Sequence, residues 1–375
     1  MTDVVEGFFV DVRVLPTRQK YAFPGETLQT GFRNALSTGV QMALLAVVLA
    51  ATVIASTAMG YIQVPLSDVP RILAARLLGR PELTAGMRQI FPAVVFDVRL
   101  PRILSAAIVG GGLAVSGAAF QGILLNPLAD PYTLGVSAGA AFGASLAIVL
   151  NIHLLGLHSV PLFAFSGAVL TLLLVVFLAS DAEGLSSNNL ILAGIIVAAI
   201  LSAGISFLKY VADEQVAVII FWLMGSFGSK TWSDVGLTAL WVAAGYGILV
   251  FYARDLNLLS LGSRAASSLG VNMRRTPLLL LVTASLIAAV CVSISGIIGF
   301  VGLLVPHMMR NLTGPDNRRL MPACLLAGAI LLLWADTVIR ALLPHEIPIG
   351  VLTALIGGPF FCLIFRRQQS GRRGF

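Results

Sequence analysis

Residues 131–180 run for fifty positions without a single Asp, Glu, Lys or Arg. As one helix that stretch would be about 75 Å long, more than twice a hydrocarbon core of about 30 Å. It must therefore turn back on itself, and residues 151–161, with Asn151, two histidines, Gly156 and Pro161, supply the turn. Residues 276–309 pose the same problem in milder form. Their 34 uncharged positions are long for one span and short for two, and Ser293, Ser295, Gly296 and Gly299 provide turn residues near the middle. The apolar runs are continuous and do not alternate, which selects membrane helices over a barrel. Composition agrees: 58% of the chain is hydrophobic and 11% is charged, against about 25% charged in soluble domains.

The pattern predicts an all-α polytopic membrane protein with about ten transmembrane helices. Expected spans are 40–60, 103–125, 132–150, 161–180, 190–208, 235–253, two within 276–309, one carrying Asp336, and 348–365. Residues 61–102 read as a long polar connection rich in Pro and Arg. Residues 216–228 are apolar but too short to span, so they read as interfacial or re-entrant. Residues 1–37 read as a cytoplasmic extension, 38–368 as the permeation domain and 369–375 as a basic tail. Glycine is dense in 99–143. In a soluble helix each Gly costs about 1 kcal/mol relative to Ala, whereas in a bilayer small residues let helix backbones approach closely. Cys291, Cys324 and Cys362 lie inside apolar runs and read as packed side chains, neither disulfides nor ligands.

The net charge of +7 comes from 24 basic against 17 acidic residues. With 276–309 as two helices, both termini share one face with 15 Lys and Arg, leaving 9 on the other, which makes that first face cytoplasmic. Arg99, Arg102 and Arg340 lie on the other face, against this trend. Two readings stand for them: rim solvation, with Arg340 pairing Asp336 one turn away, or capture of an acidic partner.

Several classes of function are disfavoured. The basic residues are scattered over many short loops, which argues against nucleic acid. No Gly-Lys pair exists, so there is no phosphate-cradling ATPase loop; Gly225-Ser-Phe-Gly-Ser-Lys-Thr231 resembles one without its spacing. The histidines form no metal-ligand pair, and no Ser/His/Asp set is suggested. An autonomous ion-driven carrier needs carboxylates in mid-membrane, and Asp336 is the one acid plausibly inside a span. Energy for transport would then enter through another chain. The candidate contact is 254–275, where leucines precede a short amphipathic segment ending on Gly270. It reads as a docking knob for a soluble subunit or as a helix lying on lipid headgroups.

Many motifs occur in one order: Arg99-Leu-Pro-Arg102, Gln121, Asn126-Pro-Leu-Ala-Asp-Pro131, Leu134-Gly-Val-Ser137, Trp222-Leu-Met-Gly225, Leu261-Gly262, Ala265-Ala266, Leu269-Gly-Val271, Gly299-Phe-Val-Gly-Leu303, Val305-Pro-His-Met-Met-Arg310, Asp336 and Ile347-Pro-Ile-Gly-Val-Leu-Thr353. Through them the chain resembles permeases of the type II ABC importer family (FecCD), which move iron–siderophores, haem and cobalamin. The resemblance implies a membrane-embedded homodimer with a central path, two cytoplasmic ATPase subunits holding ATP and Mg, an extracytoplasmic substrate-binding protein, and no cofactor or metal on this chain. It also implies roles. Arg99, Arg102 and Arg340 would receive glutamates of the binding protein. Leu261, Gly262, Ala265, Ala266, Leu269 and Gly270 would form the coupling contact to the ATPase. Asn126 and Leu128, with Ser187 and Asn188, would close the cytoplasmic gate. The expected cargo is an Fe(III)–siderophore, with haem or cobalamin as the alternative. Ser263 and Arg264 stand where family members often carry acids.

Overall fold

The computed structural model describes residues 38–372, apart from 61, 155, 182–183 and 343–346. The extension 1–37 and the last three tail residues therefore lie outside the described residues. Fourteen helices follow one another: α1 Thr38–Ala58, α2 Asp68–Leu78, α3 Ile90–Ile123, α4 Val136–Val149, α5 Ser159–Ala179, α6 Ser187–Val211 and α7 Val216–Leu223, then α8 Trp232–Phe251, α9 Ala253–Leu259, α10 Ser263–Ser268, α11 Thr276–Ser295, α12 Val301–Thr313, α13 Asn317–Leu342 and α14 Ile349–Arg372. A two-residue antiparallel ladder, Ser180–Asp181 with Gly184–Leu185, joins α5 to α6. Among the described residues, seven helices (α1, α3, α5, α6, α8, α11 and α13) are long and apolar enough to cross a membrane.

The uncharged fifty residues do fold back, as α4 and α5 with the turn at 151–158. Residues 276–309 resolve into two helices. Gly296 at φ +73° and Phe300 at φ +67° make the break, and a side chain on Gly296 would strike the Trp222 carbonyl. The segment after α6 holds a 3-10 turn, Asp213–Gln215, and α7, whose eight residues reach about 12 Å, too short to span.

One expectation needs correction. Residues 61–102 are not simply a connection, because α3 already begins at Ile90 and α2 lies within the segment. Two prolines hid the helix. Val94–Arg99 forms a π-turn in which the Leu100 N–H bonds the Val95 carbonyl five residues back. Pro101 lacks an N–H just beyond this turn, and the Phe96 carbonyl instead accepts from Trp232 Nε1 at 3.1 Å. Val64, Val69, Ile72, Phe91, Val95 and Leu100 form a small separate core that seats α2 on this end of α3.

The main core is built around α3, whose spanning stretch is almost wholly enclosed by α8, α11, α12 and α13. Its glycines set the spacing. A Cβ on Gly110 would overlap the Gly328 carbonyl of α13, and one on Gly117 would overlap the Gly302 carbonyl of α12. Gly139 and Gly167 bring α4 and α5 together in the same way. Cys291 and Cys324 are buried free thiols, while Cys362 is exposed on α14 and equally unpaired.

Candidate functional site

Three polar features sit along this apolar bundle: an arginine cluster and a cavity at the end where α3 begins, and a projecting knob at the opposite end.

The arginine cluster is occupied from within. Arg99 and Arg102 are both buried. Arg99 Nη1 donates to the Thr57 carbonyl at 2.8 Å and the Ala58 carbonyl at 3.1 Å, and Nη2 donates to the Ile62 carbonyl. Arg340 Nη2 donates to the Ser56 carbonyl at 2.7 Å. The last carbonyls of α1 are thus capped by two guanidinium groups, which also complement the negative end of the helix dipole. Arg102 grips Asp336: Nε lies 3.0 Å from both carboxylate oxygens and Nη2 lies 2.9 Å from Oδ1. This pair is made across 234 positions of sequence, and local spacing does not announce it. Asp336 is 1% exposed, and a charge at that depth requires a forked donor. Thr337 Oγ1 donates to Ser56 Oγ at 2.7 Å and completes the seam between α13 and α1.

Beside Arg102 and Asp336 opens a cavity of about 750 Å³. Its walls come from α7 and the loop after it, the end of α11 and the start of α14. Backbone bonds pin this loop: Ser226 N–H to the Ser295 carbonyl at 2.8 Å, Ile349 N–H to Gly225 at 3.1 Å, and Gly350 N–H to Met224 at 3.0 Å. Ser226, Ser229, Ser293 and Ser295 face the cavity with Lys230, whose Nζ donates to the Ile294 carbonyl at 2.7 Å. In the sequence Lys230 is one of the scattered basic residues and part of Gly225–Thr231, the stretch that resembles a phosphate-binding loop without its spacing. Its position in a Gly-Ser loop was the available signal.

At the opposite end α3 runs out at Ile123, and Leu125 takes φ +50° to turn the chain. Asn126 Oδ1 accepts from the Leu128 N–H at 2.9 Å, an Asx turn that fixes the loop, while Leu128 remains partly exposed. Tyr132 donates to the Ile298 carbonyl at 2.8 Å, tying the loop to the α11–α12 break. Ser187 and Asn188 open α6 near the same end, and Gly194, two turns on, packs against the Thr133 carbonyl.

The knob comprises α9 and α10. Gly262 and Gly270, both at φ +92°, bracket the six-residue α10. Leu261 and Leu269 are 61% and 59% exposed and project from it. Ala265 is half-buried. Ala266 is fully buried, as are Leu256 and Leu259, so these three anchor the knob and offer no contact surface. This narrows the predicted contact set. The knob is also latched to α13. Asn257 Nδ2 donates to Asp316 Oδ1 at 2.7 Å, and Asn257 Oδ1 accepts from Asn317 N at 2.9 Å and Nδ2 at 2.7 Å. Burial raises the Asp316 carboxyl, but the Asn257 amide, the Arg318 N–H and the nearby Arg318 and Arg319 charges outweigh it and hold it below the usual carboxylate value. No local pattern signals this latch, nor the bond from Arg310 Nη1 to Gln121 Oε1 at 2.8 Å that joins α12 to α3.

No group of three or more His, Cys, Asp or Glu side chains that could hold a metal occurs among the described residues.

Comparison with known proteins places this geometry. The profile of the FecCD transport family matches residues 25–367. The cobalamin import system permease of Halobacterium salinarum is 41% identical over 288 residues, covering 76% of this chain and 77% of its own. The hemin transport system permease of Yersinia pestis is 41% identical over 283 residues, covering 74% and 84%. A solved structure described as an inward-facing metal-chelate type ABC transporter superposes with a TM-score of 0.76 at 36% identity, over 88% of this chain and 99% of that one.

Proposed function

We propose, from the premise that this chain belongs to the FecCD transport family and is a multi-pass, non-catalytic permease of a metal-chelate ABC importer, that its cargo is an Fe(III)–siderophore. A haem or cobalamin complex is the second reading, because the relatives named for hemin and for cobalamin are each 41% identical to this chain. The observation that carries the transport reading is the placement of a cavity, mostly apolar but carrying Arg102, Asp336 and Lys230, and an exposed, glycine-bracketed knob at opposite ends of one bundle.

In this reading ten helices cross the membrane: the seven long ones together with α4, α12 and α14, both termini being cytoplasmic. Two copies enclose the path. Two ATPase subunits, which bind ATP and Mg, receive the knob through Leu261 and Leu269. A binding protein covers the end that bears Arg99, Arg102 and Arg340. Those arginines already hold internal partners, so an incoming glutamate would exchange with a carbonyl or with Asp336 and would not fill a vacancy. The loop at Asn126 and Leu128 and the α6 start at Ser187 and Asn188 form the cytoplasmic gate.

The deciding experiment reconstitutes the permease with its ATPase and binding protein in liposomes. ATP-dependent accumulation of a ferric siderophore is expected. Accumulation of a chelate without ATP would replace this reading with that of an autonomous carrier. Charge reversal, Arg99→Glu with Arg102→Glu, is expected to abolish uptake. Because both residues also hold helices together, Arg340→Gln serves as the milder variant, read by the affinity of the binding protein for the folded complex. Unchanged affinity in Arg340→Gln removes that residue from the docking surface.

A further inference from the structure

The loop 225–231 is left unexplained by the failed likeness to a phosphate-binding motif. Its place in the fold gives it a different use. It forms one wall of the 750 Å³ cavity, a volume within the range of small-molecule sites. Among the described residues, three charged groups reach this cavity: Arg102, Asp336 and Lys230. Arg102 and Asp336 neutralise one another through their forked contact. Lys230 therefore sets the sign.

The acid nearest to Lys230 in the chain, Asp234, is turned elsewhere. Its Oδ2 accepts from Thr231 N at 2.9 Å and Thr231 Oγ1 at 2.8 Å, in the capping box of α8, and its Oδ1 lies 3.7 Å from His158 Nδ1. Lys230 makes no ion pair among the described residues, and its hydrogen bond to Ile294 uses one of three N–H donors. Burial holds its ammonium below the usual lysine value, with Asp234 only partly opposing, as expected of a cation short of a counter-charge. The exposed Ser226 and Ser229 in the same walls add neutral polar groups, whereas Ser293 and Ser295 spend their hydroxyl protons on the Val290 and Cys291 carbonyls of α11.

We propose that this cavity receives an anionic metal chelate, one bearing peripheral carboxylate or phenolate oxygens, and that Lys230 is its charge anchor. The proposal rests on the importer reading for its physiological sense, but the binding it describes can be measured separately.

Trp222 lines the cavity and reports occupancy. The full-length permease is placed in phosphatidylcholine nanodiscs, which carry no anionic lipid. Quenching of tryptophan fluorescence is titrated with ferric citrate, an anionic probe, and with cyanocobalamin, which carries no net charge. Trp222→Phe is expected to remove the quenching by ferric citrate. Lys230→Gln keeps a donor for the Ile294 carbonyl while deleting the charge. It is expected to weaken ferric citrate binding about tenfold, the scale of one charge-assisted hydrogen bond, and to leave cyanocobalamin and the melting temperature unchanged. Lys230→Arg is expected to restore binding. Ferric citrate binding that is absent from the wild type, or equal in wild type and Lys230→Gln, overturns the proposal. So does an equal loss for both probes, which would mark Lys230 as a structural cap of α11. The two readings fail separately. Charge-selective binding without ATP-driven uptake of any chelate refutes the importer and leaves the anion site. Uptake that is indifferent to Lys230 refutes the anion site and leaves the importer.

Discussion

At the scale of single residues, the buried charges carry the sharpest consequences. Asp336, 1% exposed, is gripped by Arg102 at 2.9 Å. Removing either partner leaves a charge in an apolar surround, at a cost of about 3–5 kcal/mol. Arg102→Met and Asp336→Leu are each expected to lower the melting temperature sharply in detergent, and the double variant is expected to recover most of the loss. If each single change is silent, the pair is solvated and its burial is not functional. The identities of these residues were visible in the sequence, yet their pairing was not. Local spacing favoured Asp336 with Arg340, four residues on. Arg340 donates to the end of α1, where a helix terminus leaves carbonyls open to a donor.

At the scale of elements, glycine decides how closely helices approach. Gly117 faces the Gly302 carbonyl with no room for a Cβ, whereas Gly247 in α8 has nothing within 4 Å. Gly117→Ala is expected to destabilise by about 1–3 kcal/mol or more through overpacking. Gly247→Ala is expected to be neutral or slightly stabilising. Equal melting temperatures for the two would show that the α3–α12 crossing is not set by glycine. The knob makes a second element-scale case. The Asp316 carboxyl titrates below its ordinary value, so its stabilisation of the Asn257 latch is complete above the unfolded pKa of about 3.9 and is lost as pH falls through the folded value. Amide exchange at Asn317 is expected to quicken in that acid range, and Asp316→Asn is expected to remove the pH dependence. A profile unchanged by Asp316→Asn would assign the titration elsewhere. The short α10 was legible from its small residues and closing Gly270. Which of its side chains point outward was not, since Leu256 and Leu261 are equally apolar in sequence and differ only by what packs on them.

At the scale of the whole molecule, coupling to a motor requires exposed contacts on an anchored base. Leu261→Ser with Leu269→Ser is expected to abolish ATPase co-purification while sparing the fold. Leu256→Ser is expected to cost about 2–5 kcal/mol of stability, because its side chain is fully buried beneath Gly122. Co-purification that survives the double change would move the interface off the knob. The sequence by itself determined the membrane class, the fold-back between α4 and α5, the split within 276–309 and the glycine-mediated packing. All of these follow from length, charge and composition acting along the chain. The tertiary structure decided the rest: the start of α3 at Ile90 despite two prolines, the Arg102–Asp336 and Asn257–Asp316 pairs, and the cavity that Lys230 lines. These depend on contacts between segments up to 234 positions apart. Such contacts leave no periodicity in a single sequence, because their energy exists only once α3 has been enclosed by its neighbours.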